Sequence, residues 1–554
     1  MVFYQTPPEL GNLYRDDDVL RRYLRNALPA DALASIEGEL VEVGELAGGD
    51  LHRASVEQRL DEPRLKQWDA WGRRIDHIEV TPLWRRAARI AAEKGVVATA
   101  YERKNGAHSR VHQFAMAYLL DHAWHTYSCP LAMTDGAART LIGSKNKPLM
   151  DRALPLLLSR DPDKMWTSGQ WMTERTGGSD VAISETVARQ DGDAWRLYGE
   201  KWFCSATTSQ MALTLGRPEG NPAGGRGLAL FYLEIRNPDG SLNSMSVDRL
   251  KEKLGTRMLP TAELTLDGTR AVPVMGLRDG VKNITPMLTI TRTWNSIAAA
   301  AMMRYGLTLA KDYAKRRVAF GALLEAKPLH VDTLAALEAE ATGAMLLAFR
   351  IVQLLGKEDA GEISEHEAAL LRLITPVAKL TTAKQAMAVA TEVVEAFGGA
   401  GYVEDTGLAR ILRDSQVLPI WEGTTNVLSL DLLRALAKQG SLEPISREVA
   451  TCVEGADASL RGPAEAAVRA VGHAQAWLEE TMGAGPQAIE AGARRLALTV
   501  GRALELAFLV REATLSKKHG DDAKPAAAAR RFASSGVDMI ADASFEADAK
   551  LLVG

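Results

Sequence analysis

The chain has 554 residues, enough for several domains around a large shared core, with 46% hydrophobic and 25% charged residues and a net charge of −4. That balance is ordinary for a globular protein, and it supplies no cationic field to recruit nucleic acid or an acidic membrane surface. Three scattered cysteines, Cys129, Cys204 and Cys452, argue against a disulfide framework or a zinc cluster and for a reducing compartment.

The N-terminal stretch has neither a signal-peptide nor a transit-peptide pattern, and no run of about 18 apolar residues would span a membrane. The chain ends LLVG, which is not a peroxisomal address. A cytoplasmic protein with no membrane segment is expected.

Residues 1–50 read as a wrapping arm with a helix around Asp31–Glu45, and residues 51–165 as a helical domain with apolar stripes at i, i+3 and i+4 that include Trp68, Trp71 and Trp84. His108 with His112, and His122 with His125, have the spacing of one helix face. No HExxH pattern or third ligand accompanies them, so no metal site is expected.

The texture changes over 166–280, where β-type segments alternate with turn dipeptides. Ile183–Arg189 and Ala194–Phe203 flank Gln190–Asp193 as a hairpin, and strands are expected at Met211–Leu215, Gly227–Ile235 and Ala262–Leu266. This predicts a compact antiparallel β domain. Helices then resume: Ile297–Arg316, Leu329–Leu355, Glu365–Phe397 and Val427–Ala437 form a bundle over 281–440, with Gly398-Gly399 closing the third helix as an αL cap would. An extra helical domain over 441–554 contains Ala464–Leu478, Ala491–Ser516 and a break at Lys517–Asp522.

The chain is organised around Arg413–Asn426, in which Glu422 sits between an apolar approach ending in Trp421 and a Gly-Thr-Thr-Asn turn. Pro419 argues against regular helix before Glu422, Gly423 permits a sharp turn, and Thr424, Thr425 and Asn426 are caps for the following helix. A carboxylate so placed suits proton abstraction. It also suits a plain acidic residue at a helix N-terminus, and on this stretch alone the plain reading is the better one. Within the β region, Met172–Asp180 offers a Gly turn whose amides form an anion cradle, or is simply a loop. Lys201–Ser205 ends a strand with two aromatics suited to a planar ring, or to a core.

Taken together these motifs resemble the acyl-CoA dehydrogenase family. Thr173–Asp180 resembles its Thr-Glu-Pro-x-x-Gly-Ser-Asp loop, with Arg175 where Pro is usual. Phe203-Cys204-Ser205 resembles the strand end beside the flavin. Arg317–Gly321, Phe397–Tyr402 and Trp421–Thr424 are similar to the bundle signatures, in order, across residues 50–440. Within the family the chain looks like the AidB-like branch, named for a flavoprotein of the adaptive response to DNA alkylation. That likeness is carried by Asn12–Tyr14, Arg73–Asp76, Lys201–Phe203, Asp248–Gly255 and the segment after 440.

The fold class implied is mainly α with a β insertion: a helical domain, a β domain, a four-helix bundle and an extra C-terminal helical domain. The resemblance implies FAD as cofactor and an acyl-CoA-like substrate. Glu422 then removes the α-proton, its backbone N–H helps polarise the thioester carbonyl, and the β-hydride passes to the flavin. In some members the base lies beside an arginine on the first bundle helix. Arg292 matches that arginine here, and the neighbouring Thr291 is not an acid.

The cofactor set implied is Met172, Thr173, Gly178, Ser179, Trp202, Phe203 and Ser205, with Ser205 near N5 and Ser179 near the pyrophosphate. Ile420, Thr424 and Asn426 complete that set. Arg317, Phe320, Gly398 and Gly399 reach the FAD of a neighbouring subunit, so at least a dimer, and usually a homotetramer, is implied. Trp421 and Thr291 border the substrate, and the bulk of Trp421 favours a short or branched acyl chain. Ala319 stands where many members carry a threonine. The electron acceptor is not named by the resemblance.

A second reading is an AidB-like flavin protein that binds duplex DNA through Arg434, Arg494, Arg495, Arg502, Arg530 and Arg531. Against it, 14 Lys and Arg face 16 Asp and Glu after residue 437. A third, flavin oxidation of a nitroalkane-like substrate, wants an aspartate base, and Glu422 counts against it.

Overall fold

The computed structural model describes residues 4–520, 523–541 and 545–554. By compactness the chain divides into two interleaved units. One, the bundle unit, comprises the chain up to Asp50, Asn105–Leu120 and everything from Asn295. The other, the β unit, comprises Leu51–Lys104 and Asp121–Trp294.

The β unit opens with an unforeseen hairpin. Strands β1 (Arg64–Trp68) and β2 (Arg74–Glu79) pair antiparallel where a helical pattern was expected, and Trp71 at the turn is 95% exposed. The reason is local: the carboxylate of Asp69 accepts from the amides of Trp71 and Arg73, and this turn outweighs the aromatic spacing that suggested a helix. His122 and His125 likewise lie in an irregular turn, with His125 at φ +49°, and do not share a helix face. Among the described residues no group of three or more His, Cys, Asp and Glu is arranged to hold a metal.

Seven strands follow: β3 (Ser168–Trp171), β4 (Val187–Asp191), β5 (Ala194–Ser205), β6 (Met211–Pro218), β7 (Ala229–Glu234), β8 (Met245–Leu250) and β9 (Thr261–Pro273). They run in the order β3-β6-β4-β5-β9-β7 with β8 on β9, and β7 also pairs with β6, so five of them close into a ring. The β4–β5 hairpin forms where expected, with Asp191 opposite Ala194 across Gly192. Most pairings are antiparallel. Those of β6 with β3 and β4 are parallel, because these strands reach β6 by crossovers rather than tight turns. Trp171, Leu197, Phe231, Leu233, Leu264 and Leu266 fill the interior.

In the bundle unit the long helices are Thr285–Arg316 (from Asn295 on), Pro328–Ala360, Glu365–Ala396 and Thr425–Gln439. The third starts with a reciprocal capping box between Ser364 and Glu367. Its end is not the αL cap expected. Gly398 has φ +59° but ψ −137°, a conformation open to glycine alone, and the cap is Phe397.

The expected C-terminal helices lie within Arg461–Met482 and Pro486–Lys518. Of the expected break, Asp521 and Asp522 lie outside the described residues. Pro486–Lys518 joins the bundle's own interior: Gln385 Nε2 donates to Glu505 Oε2 at 2.9 Å. No described helix is long and apolar enough to cross a membrane.

Candidate functional site

The β unit presents its candidate residues on a loop and a strand end locked together. Glu174, in the loop after β3, is 3% exposed and Lys201, on β5, is wholly buried, with Nζ 2.7 Å from Glu174 Oε1. The carboxylate also accepts from Thr186 Oγ1 at 2.6 Å and from the Glu185 amide at 2.6 Å, while Lys201 donates to the Leu215 carbonyl at 2.8 Å. Burial alone would push the Glu174 carboxyl up. The Lys201 charge and these hydrogen bonds outweigh it and hold the group below the usual glutamate range.

The pair pins the loop to the strand, and the backbone confirms the docking: the Trp202 amide donates to the Thr173 carbonyl at 2.9 Å. Gly178 folds over Thr173 so closely that a Cβ there would lie 2.6 Å from Thr173 Oγ1. Any larger residue would have to push the Thr173 side chain aside. Ser179 is exposed and Met172 half-buried on the same loop.

At the end of β5 the register slips. Lys201 faces Leu264 and Cys204 faces Ala262, so one extra residue bulges out of β5. A regular strand would send Trp202 and Phe203 to opposite faces. At the bulge both rings gather around one cation, Lys251 Nζ, at 3.5 Å from the Trp202 centroid and 4.6 Å from that of Phe203. Phe203 is 53% exposed, and Ser205 Oγ lies 3.1 Å from Thr261 Oγ1 just beyond.

Large aromatic surface held in water beside hydroxyls and a glycine cradle fits a planar ring system bearing an anionic tail. On this observation the residues suit a flavin dinucleotide.

The bundle unit carries the acidic residue. The chain from Gln416 to Trp421 forms turns rather than helix, as Pro419 requires, and Glu422 adopts φ +57° ahead of Gly423 at +102°. A non-glycine residue in this region costs on the order of 1–3 kcal/mol and persists only where its surroundings hold it. Three contacts do so. Trp421 Nε1 donates to Asn295 Oδ1. Lys379 Nζ, fully buried, donates to the Gly423 carbonyl at 2.7 Å. Thr424 caps the next helix by accepting from the Val427 amide at 3.4 Å.

Glu422 is half-buried, while Ile420 is 61% exposed and Asn426 exposed. In the same unit β10 (Val318–Ala319) and β11 (Ala322–Leu323) form a minimal hairpin whose two turn residues, Phe320 and Gly321, both have positive φ. Phe320 at its tip is 99% exposed. Arg317 stands at the base of this hairpin, and Gly398 and Gly399 are exposed at the end of the third helix.

Thr291, in the β unit, is buried and its hydroxyl donates to the Leu288 carbonyl at 3.3 Å; Arg292 beside it is half-buried. Of the arginines set out for DNA, Arg502 grips Glu340 with both terminal nitrogens, Arg531 pairs with Asp332 at 2.6 Å, and Arg495 lies over the Phe545 ring. They serve internal contacts.

Glu174, Lys201 and Lys251 lie within the sequence motifs but gain a role only from the folded contacts, and Lys379 and Asn295 lie outside every motif. The available signal was a lone lysine amid apolar residues, at Lys379 within Pro376–Leu380.

Three family models cover most of the chain: the adaptive response protein AidB N-terminal domain over 5–164, the acyl-CoA dehydrogenase middle domain over 169–269 and its C-terminal domain over 278–437. The chain belongs to the acyl-CoA dehydrogenase family and is an oxidoreductase of that type. Its N-terminal match and its relatives set it in the AidB-like branch.

The chain is 43% identical to acyl-CoA dehydrogenase family member 11 of Caenorhabditis elegans over 92% of this chain and 86% of that protein. It is 31% identical to AidB of Escherichia coli (strain K12) over 85% and 89%. The crystal structure of Caenorhabditis elegans ACDH-11 in complex with C11-CoA superposes with a TM-score of 0.95 at 41% identity, covering 99% of this chain and 96% of that one.

Proposed function

We propose that the protein is an FAD-dependent dehydrogenase that oxidises an acyl-CoA thioester between its α and β carbons, with Glu422 as the base. The observation that carries this reading is the Glu422 turn, a half-buried carboxylate on a strained backbone held at three neighbouring residues. Such a fixed carboxylate takes the α-proton without first paying to be oriented. FAD, when bound, would accept the β-hydride.

Met172, Thr173, Gly178, Ser179, Trp202, Phe203 and Ser205 would hold the cofactor from the β unit, the aromatics against the ring and the loop amides toward the pyrophosphate. Ile420, Thr424 and Asn426 would hold it from the Glu422 turn. Arg317, Phe320, Gly398 and Gly399 would complete the site of a neighbouring copy. That arrangement needs at least a dimer and suits a homotetramer, and the exposure of Phe320 supports it. Thr291, with its hydroxyl engaged, would offer an apolar wall beside Arg292.

Trp421 favours a short or branched acyl chain by its bulk. Its indole, however, rests on the bundle core and donates to Asn295, and the related ACDH-11 was solved with C11-CoA. We therefore extend the proposed range to medium-length chains. The test is anaerobic bleaching of the bound flavin by isovaleryl-, butyryl- and undecanoyl-CoA. Absence of bleaching by every thioester would overturn the reading.

A further inference from the structure

We propose that Lys379 is the positioning residue of the reaction: from inside the bundle it holds the Glu422 turn in its left-handed conformation through the Gly423 carbonyl. The inference rests on Glu422 being the base. Lys379 lies in the middle of helix Glu365–Ala396 among the buried residues Thr375, Val377, Ala378, Leu380 and Thr382, with no part of it exposed. An ammonium in such a place is unfavourable unless strongly hydrogen-bonded, and a leucine or methionine would pack there without that penalty. Something other than packing therefore calls for the lysine.

Its Nζ donates at 2.7 Å to the carbonyl of Gly423, the residue immediately after Glu422. A charged donor makes one of the stronger hydrogen bonds available to a backbone carbonyl. The contact falls where the chain needs restraint. Glu422 and Gly423 have φ +57° and +102°, and without an anchor the glycine would let the pair relax. The upstream side is fixed by Trp421 on Asn295 and the downstream side by the Thr424 cap. Lys379 supplies the restraint between them. Because it binds a carbonyl and not an acid's oxygen at this contact, it restrains the turn through the backbone.

The test uses the FAD-loaded full chain, with single-turnover flavin reduction by an acyl-CoA that bleaches the wild type. Lys379→Met is expected to keep its FAD and to bind the thioester within about threefold of wild type, while the reduction rate falls about 100-fold, the loss that a misplaced reacting group brings. Gly423→Ala perturbs the same turn from outside the bundle interior: a Cβ there meets Leu428 Cδ2 at 3.0 Å and the backbone φ is strained. It is expected to slow reduction similarly, and the double variant is expected to be no slower than the worse single one, since both act through one geometry.

Wild-type reduction by Lys379→Met overturns the proposal, and so do losses that multiply in the double variant. If Lys379→Met does not fold, Gly423→Ala decides alone: a folded, FAD-loaded variant at the wild-type rate overturns it, and a slowed one with thioester affinity retained supports it. Glu422→Gln separates the two readings. Reduction by that variant at the wild-type rate removes the base assignment itself, whereas a dead Glu422→Gln beside a fully active Lys379→Met removes only the role of Lys379.

Discussion

Lys201 in the β unit and Lys379 in the bundle unit are both wholly buried, and each donates to an oxygen of a motif glutamate or of the residue next to one, at 2.7 Å in either case. The oxygens differ. Lys201 takes the carboxylate of Glu174, which is then also enclosed by Thr186 and the Glu185 amide. Lys379 takes a backbone carbonyl one residue beyond the carboxylate of Glu422. Two glutamates in family signatures are thereby given opposite tasks. One is a pin whose charge is consumed by its neighbours, and the other is a carboxylate whose backbone is gripped. A buried lysine stabilises a loop in both units, through the glutamate's own carboxylate in the first and through the carbonyl of the next residue in the second.

The sharpest way to break this comparison is to neutralise each glutamate in turn. Glu422→Gln is expected to slow flavin reduction about 1,000-fold or more, within the range for removing a general base, while FAD content and melting temperature stay near wild type. Stopped-flow absorbance checks it. Glu174→Gln is expected to act on the fold instead, lowering unfolding stability by about 3–5 kcal/mol because Lys201 is left buried with its ionic partner gone. Urea denaturation measures that difference, and each molecule that retains FAD should still turn over.

Acidity sharpens the contrast further. The folded-state affinity of the Glu174 carboxyl for a proton is depressed, so its contribution is fully present above the ordinary unfolded glutamate value, about 4.3. It is lost as pH falls through the lower folded value. The gap in urea midpoint between wild type and Glu174→Gln should therefore be widest near neutrality and shrink below about pH 4.

Smaller effects follow at the exposed residues. Phe320→Ser is expected to leave urea stability within about 0.5 kcal/mol, because a side chain already in water has nothing to lose. A drop in FAD retention with unchanged stability would mark its role in a neighbouring site, and gel filtration would register any weakened assembly. Arg175→Ala is expected to change stability by less than about 0.5 kcal/mol, since its pair with Glu200 is open to solvent on both sides.

Much of the fold was legible because it is written in local pattern. The Gln190–Asp193 hairpin, the long Ala- and Leu-rich helices and the Thr424 cap each depend on neighbours in sequence. The β1–β2 hairpin was not legible, because the Asp69 turn competes with aromatic spacing that also fits a helix. The candidate site was legible as residue types in order and not as a mechanism of support. Lys379 meets Gly423 and Lys201 meets Glu174 only once helix and barrel have formed, and no local periodicity encodes a contact over such separations. The gathering of Trp202 and Phe203 was hidden for a related reason: it depends on a slip against β9, a distant partner strand.

That slip makes length itself a working property of β5. Removing one residue between Lys201 and Cys204 means removing Trp202 or Phe203 itself: the ladder would become regular, with Cys204 and Ser205 still opposite Ala262 and Thr261, but the two rings would no longer meet around Lys251. No substitution compensates for a missing residue here. Point changes around the aromatic pair are graded injuries; a single-codon deletion is an all-or-none one.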